Sequence, residues 1–97
     1  MRDLAHVHRL QNEYSQSTAL LSEALETFTD IDSRSGRASS LSGLGDVHRD
    51  QGNYKEAIGP YTEAAEVYEQ IGNTRNAAYA SNQAAEARRL STREEAT

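Results

Sequence analysis

The residues best suited to metal or acid–base chemistry are the three histidines. His6 and His8 stand two apart, and His48 lies forty residues after His8. Side chains two apart on a helix point to different faces, whereas a metal requires converging donors. The absence of cysteine removes thiolate sites and disulfides together. Gly43-x-Gly45-Asp46 has the glycines of a phosphate loop but no preceding strand and no Gly-Lys-Ser/Thr ending. Tyr54, Tyr61 and Tyr68 run at seven-residue spacing on one helical face. Such a stripe is far more often core than a base-stacking platform. No Ser-His-Asp order and no paired carboxylates stand out from helix-surface background. The reading is of a non-enzyme with no catalytic residue, no metal and no cofactor, with His8 and His48 filling packing positions.

What would hold these residues in place is a small helical domain. The chain has 97 residues and a net charge of −5, with 15 Asp and Glu against 10 Lys and Arg. That balance opposes a nucleic-acid backbone or an anionic membrane as main partner. No apolar run approaches the ~20 residues of a membrane span, and Met1-Arg2-Asp3-Leu4 lacks the apolar stretch of a signal peptide. A soluble, cytoplasmic protein is expected. Alanine and serine are plentiful, β-branched residues are scattered, and there is one proline, which points to an all-α class.

Sliding the sequence against itself by forty positions exposes a repeat. Leu4 meets Leu44, Val7 meets Val47, His8 meets His48, Arg9 meets Arg49 and Tyr14 meets Tyr54. Later, Glu23, Ala24 and Glu26 meet Glu63, Ala64 and Glu66, and Ile31 meets Ile71. Each copy reads as a helix pair. Gly52 ends the first helix of the second copy, with Asn12 as its counterpart, and Gly72-Asn73 ends the second helix. Ser33 and Asn73 are placed to cap the helices that follow. Five helices are expected, at about 2–11, 15–31, 35–51, 54–71 and 74–91. Pro60 is expected to bend the fourth. The domain is read as one array, with repeat 1 at about 1–33, repeat 2 at about 34–73, a capping helix at about 74–91 and a polar, frayed tail at 92–97.

Leu44-Gly45-x-x-His48, Gly52-x-Tyr54-x-x-Ala57 and Tyr61-x-x-Ala64 resemble the tetratricopeptide repeat (TPR). His48 stands where that family usually has tyrosine. The first copy carries Leu4-Ala5-x-x-His8, Tyr14, Ser17, Leu21 and Ala24 at the same places. The forty-residue period is similar to a longer-period branch shared by kinesin light chain and by arrays of NLR-like signalling ATPases of fungi and bacteria. Ser17 departs from the small alanine of the pattern, and Ala84-Ala85 and Arg88 make the third copy degenerate. The chain therefore reads as the C-terminal piece of a longer array. The resemblance implies an α-solenoid of antiparallel helix pairs and a protein-interaction scaffold, with the first helix of each pair lining a concave groove that receives a peptide or helix.

Projecting the helix faces nominates His6 and Arg9 in the first copy, Ser39, Ser42, Asp46, Arg49 and Asp50 in the second, and Tyr79, Asn82, Glu86 and Arg89 in the third. Lysines of the kind that clamp a terminal carboxylate are missing from that set, and Asp46 and Glu86 would repel one. Arginines recurring beside acids suit a polar or charge-mixed peptide. Two alternatives accompany the scaffold reading: a receptor for a short signalling peptide, and a self-assembling repeat without a separate ligand. The latter would use Leu4, Val7 and Leu10, which no preceding helix covers.

Overall fold

The computed structural model describes the backbone of residues 2–96 and the side chains of residues 11–93. The described residues form four helices, α1 (Arg2–Asp30), α2 (Arg34–Asp50), α3 (Tyr54–Gln70) and α4 (Thr74–Ala96). They pack in chain order: α1 on α2, α2 on α3, α3 on α4. Among the described residues there is no strand.

The three turns are built alike. Asp32, Gly52 and Gly72 take positive φ values of 59°, 80° and 79°. At each turn the next amide reaches back to close the last helical turn: Ser33 N donates to Phe28 O, Asn53 N to His48 O and Asn73 N to Tyr68 O, each at 2.8 Å. The residue that closes one helix then opens the next. Ser33 Oγ accepts from Gly36 N at 3.2 Å, and Asn73 Oδ1 accepts from Asn76 N at 3.1 Å. Asn53 starts α3 without a side-chain bond.

The expected fourth turn, near residue 12, is absent. Helices expected at 2–11 and 15–31 are one helix, and α1 runs unbroken through Gln11–Ser17. The cause is local chemistry. Where the other turns have Ser33, Asn53 or Asn73 ready to cap, this position holds Glu13, a good helix former and a poor cap. Asn12 replaces the glycine of the second copy, so the left-handed conformation is also less accessible. The far end differs as well. α4 continues past the expected boundary at 91, with Ser91 buried and Thr92 Oγ1 donating to Arg88 O at 2.9 Å.

Two apolar clusters hold the stack. One joins Ala38 and Leu41 of α2, Ala64, Val67 and Tyr68 of α3, and Ala77 and Ala80 of α4. The other joins Ala57 and Tyr61 of α3 to Ala84 and Ala87 of α4. Alanine dominates because neighbouring helices approach closely, and among the described residues Tyr61 is the largest side chain fully enclosed. Tyr61 fits because α2 presents Gly45, where a Cβ would lie 2.7–2.9 Å from its ring.

Pro60 lies inside α3. It supplies no amide for the bond to the preceding turn, and Gly59 before it spares the clash that a Cβ would make with the ring. Nothing else approaches within 4 Å of the Gly59 Cβ position. Pro60→Ala is expected to stabilise the chain by about 2 kcal/mol, the helix-interior proline penalty less its effect on the unfolded chain. Urea unfolding measures this, and an unchanged midpoint would contradict it.

Candidate functional site

The face nominated from the sequence is carried by α2 and α4. Helical spacing puts Ser39, Ser42, Asp46, Arg49 and Asp50 along one side of α2, and Tyr79, Asn82, Glu86 and Arg89 along one side of α4. Arg49 brings the two together. Its guanidinium donates to Tyr79 Oη at 3.4 Å and to Gln83 Oε1 at 3.0 Å, both on α4. On its own helix it meets Asp46 at 3.3 Å and Asp50 at 3.1 Å. Asp46 is the other hub. Its Oδ1 accepts from Tyr79 Oη at 2.8 Å and from the hydroxyl of Tyr61 on α3. The Tyr61 and Tyr79 rings meet edge to face, centroids 6.4 Å apart. One carboxylate and one guanidinium thus tie three helices.

These contacts shift the protonation equilibria of the groups involved. Burial is the first cause of the raised pKa of the Tyr61 phenol, and its bond to Asp46 is the second. For Arg49, partial burial works against the charge, but the bonds to Tyr79 and Asp50 outweigh it and raise the pKa. Farther along α4, Arg89 donates to Glu86, and this ion pair holds the Glu86 carboxyl below its usual range.

Sequence reasoning placed the charged residues on this face but not their partners. Arg49 and Arg89 do not stand open beside acids; they are paired with them. Among the described residues, the side chains of Ser39, Ser42 and Asn82 have no hydrogen-bond partner, while Tyr79 is engaged through its hydroxyl by Asp46 and Arg49 and is still 41% exposed. His6 and Arg9 lie outside the described side chains. Tyr61 and Gln83 were missed. Tyr61 looked like plain core, and its ring is core; only its hydroxyl emerges to Asp46. Gln83 corresponds to Gly43 in the repeat, so the periodicity carried no sign of a contact there.

His48 is half-buried in the slot expected for it, and its Nδ1 is enclosed without a hydrogen-bond partner. Among the described residues no group of three His, Asp or Glu side chains is arranged to hold a metal ion. No helix there is long and apolar enough to cross a membrane. The hollow at the α1–α2 turn, lined by Phe28, Asp32 and Arg37 among others, is separate from the α2–α4 face.

No curated protein and no solved structure matches the chain. The tetratricopeptide repeat profile matches residues 1–70, leaving α4, the degenerate third copy, beyond the match. That match covers well over half of the sequence and is consistent with the stacked helices joined by short turns. The chain belongs to the tetratricopeptide repeat family, whose members mediate protein–protein interaction.

Proposed function

We propose that the chain is a non-catalytic interaction scaffold in which the α2–α4 face receives an extended or helical segment of a partner protein. The observation that carries this reading is the bridge from Arg49 to Tyr79 and Gln83, which makes one surface of two helices. Because the arginines of that surface are satisfied by its own acids, the ligand is a polar segment of low net charge. A peptide rich in carboxylates would have to displace Asp46 or Asp50 from Arg49. Ser39, Ser42, Tyr79 and Asn82 supply the hydroxyls, amide and ring that such a segment would meet. The same face would suit a short signalling peptide, and a place in the sensor array of an NLR-like ATPase is the wider setting that the forty-residue period suggests. A cytoplasmic location accompanies that setting.

The test separates binding from folding. Peptides selected from a displayed library on the wild-type chain are titrated against Ser42→Glu and Asn82→Glu, which leave the Arg49 network intact. Affinity is expected to fall at least tenfold with an unchanged melting temperature. Peptides that bind both variants as tightly as wild type would overturn the assignment.

A second reading, self-assembly through the N-terminal helix, is favoured by one observation. The repeat positions that are sealed in α3 are only half-covered in α1: Ala57, Tyr61, Ala64 and Tyr68 are buried, while Ser17, Leu21, Ala24 and Phe28 are not.

A further inference from the structure

Resting on that second reading, we infer that two copies of the chain pair through antiparallel α1 helices, residues 2–11 of each lying on residues 15–24 of the other.

The repeat identifies the missing cover. In the second copy, α3 is enclosed by α2 on one side and α4 on the other. Residues 14–30 of α1 are the counterpart of α3, and among the described residues the neighbour they have is α2. The other neighbour should be the counterpart of residues 42–51, namely residues 2–11, with which they share Leu4/Leu44, Val7/Val47, His8/His48, Arg9/Arg49 and Gln11/Gln51. The repeat matches these residues to that face, yet they do not fold back onto it within one chain, because α1 continues as helix through Gln11–Ser17 without a turn. A second copy supplies the same residues from the opposite direction.

The register closes. Gly45 packs on Tyr61, and forty residues earlier the pair is Ala5 with Leu21. In the proposed pairing a small residue would again face a large one, the extra methyl of alanine being matched by the smaller leucine side chain. Residue 13 lies midway between 5 and 21. Two unbroken helices crossing antiparallel at that point make both 5-to-21 contacts at once, related by a two-fold axis. Such an isologous interface is self-complementary and limits assembly to a dimer. The hinge that would otherwise form a hairpin is straightened, which is how an element is exchanged between protomers.

The absence of cysteine makes the test clean. Sedimentation equilibrium of the wild-type chain is expected to show a reversible monomer–dimer equilibrium. Ala5→Cys chains co-refolded with Leu21→Cys chains should oxidise to a disulfide-linked heterodimer. Asn12→Gly with Glu13→Asn copies the Gly52-Asn53 turn, and should return residues 2–11 to their own α1 and give a monomer at every concentration. In that background a chain carrying both cysteines should close an internal disulfide. A wild-type monomer at high concentration would overturn self-assembly and the swap together. A dimer that forms no 5-to-21 link, or one that survives the Gly-Asn turn, would overturn the swap alone and leave self-association through another surface.

Discussion

Gly45→Ala is expected to destabilise the chain by about 1–3 kcal/mol, while Gly43→Ala, two residues away on the same helix, is expected to be neutral or stabilising. In an exposed helix either change would gain about 1 kcal/mol from propensity alone. What separates them is the neighbour. A Cβ at Gly45 would lie 2.7 Å from Tyr61 Cε1, 2.8 Å from Cδ1 and 2.9 Å from Cγ. That ring is fully buried, backed by Ala57, Ala84 and Ala87, and held at its far end by Asp46. It has nowhere to go, so α2 and α3 must separate or the hydroxyl must leave its acceptor. A Cβ at Gly43 would meet Leu21 Cδ2 at 2.8 Å, but Leu21 is half-buried at the end of a flexible side chain and can turn aside. Gly36 is a third case. Its Cβ would come within 2.3–2.6 Å of the Phe28 ring, which is rigid but half-exposed and free to swing outward. The expected order of cost is therefore Gly45, then Gly36, then Gly43. Urea midpoints of the three alanine variants measure it, and equal midpoints at 43 and 45 would show that Tyr61 does not occupy the space described.

Asp46→Ala is expected to cost about 2–3 kcal/mol, although Asp46 is itself only half-buried. The loss falls on its partners. The Tyr61 hydroxyl and the Tyr79 hydroxyl both donate to Asp46 Oδ1, and Arg49 leans on the same atom. Without it the Tyr61 hydroxyl is left beside a closed core with no acceptor. Asp46→Asn keeps an acceptor oxygen but removes the charge, and should lose about half as much. A pH series gives an independent readout. Tyr61 has a raised pKa in the folded chain, because of burial first and the bond to Asp46 second. Above about pH 10 the unfolded chain releases that phenolic proton while the folded chain keeps it, so the unfolded state binds fewer protons and stability falls as pH rises. Below that pH the contribution is fully present. Tyr61→Phe removes the titrating group, so its stability should decline less between pH 9 and 11 than that of wild type. Parallel declines would exclude Tyr61 as the source.

Most of the local structure was written in the sequence. Helical periodicity, Gly52 and Gly72 at the helix ends, and Ser33 and Asn73 as caps all act within a few residues, where backbone sterics and a single hydrogen bond decide the outcome. The absence of a turn near residue 12 was equally local. It was obscured because matching Asn12 to Gly52 gave the repeat more weight than Glu13, which cannot cap as Asn53 does. The tyrosine stripe of α3 announced a core, but no spacing rule could say that the hydroxyl of Tyr61 would end on Asp46, or that Arg49 would reach past its own helix to Tyr79 and Gln83. Those contacts join residues 15 to 34 positions apart. They exist because close packing of alanine and glycine faces brings α2, α3 and α4 within side-chain reach of one another. The sequence by itself determined which segments are helical, where most of them stop and which faces are apolar. Only the tertiary structure decided which charges neutralise each other and which side of α1 is left without a neighbour, since both depend on distances between helices that no single helix encodes.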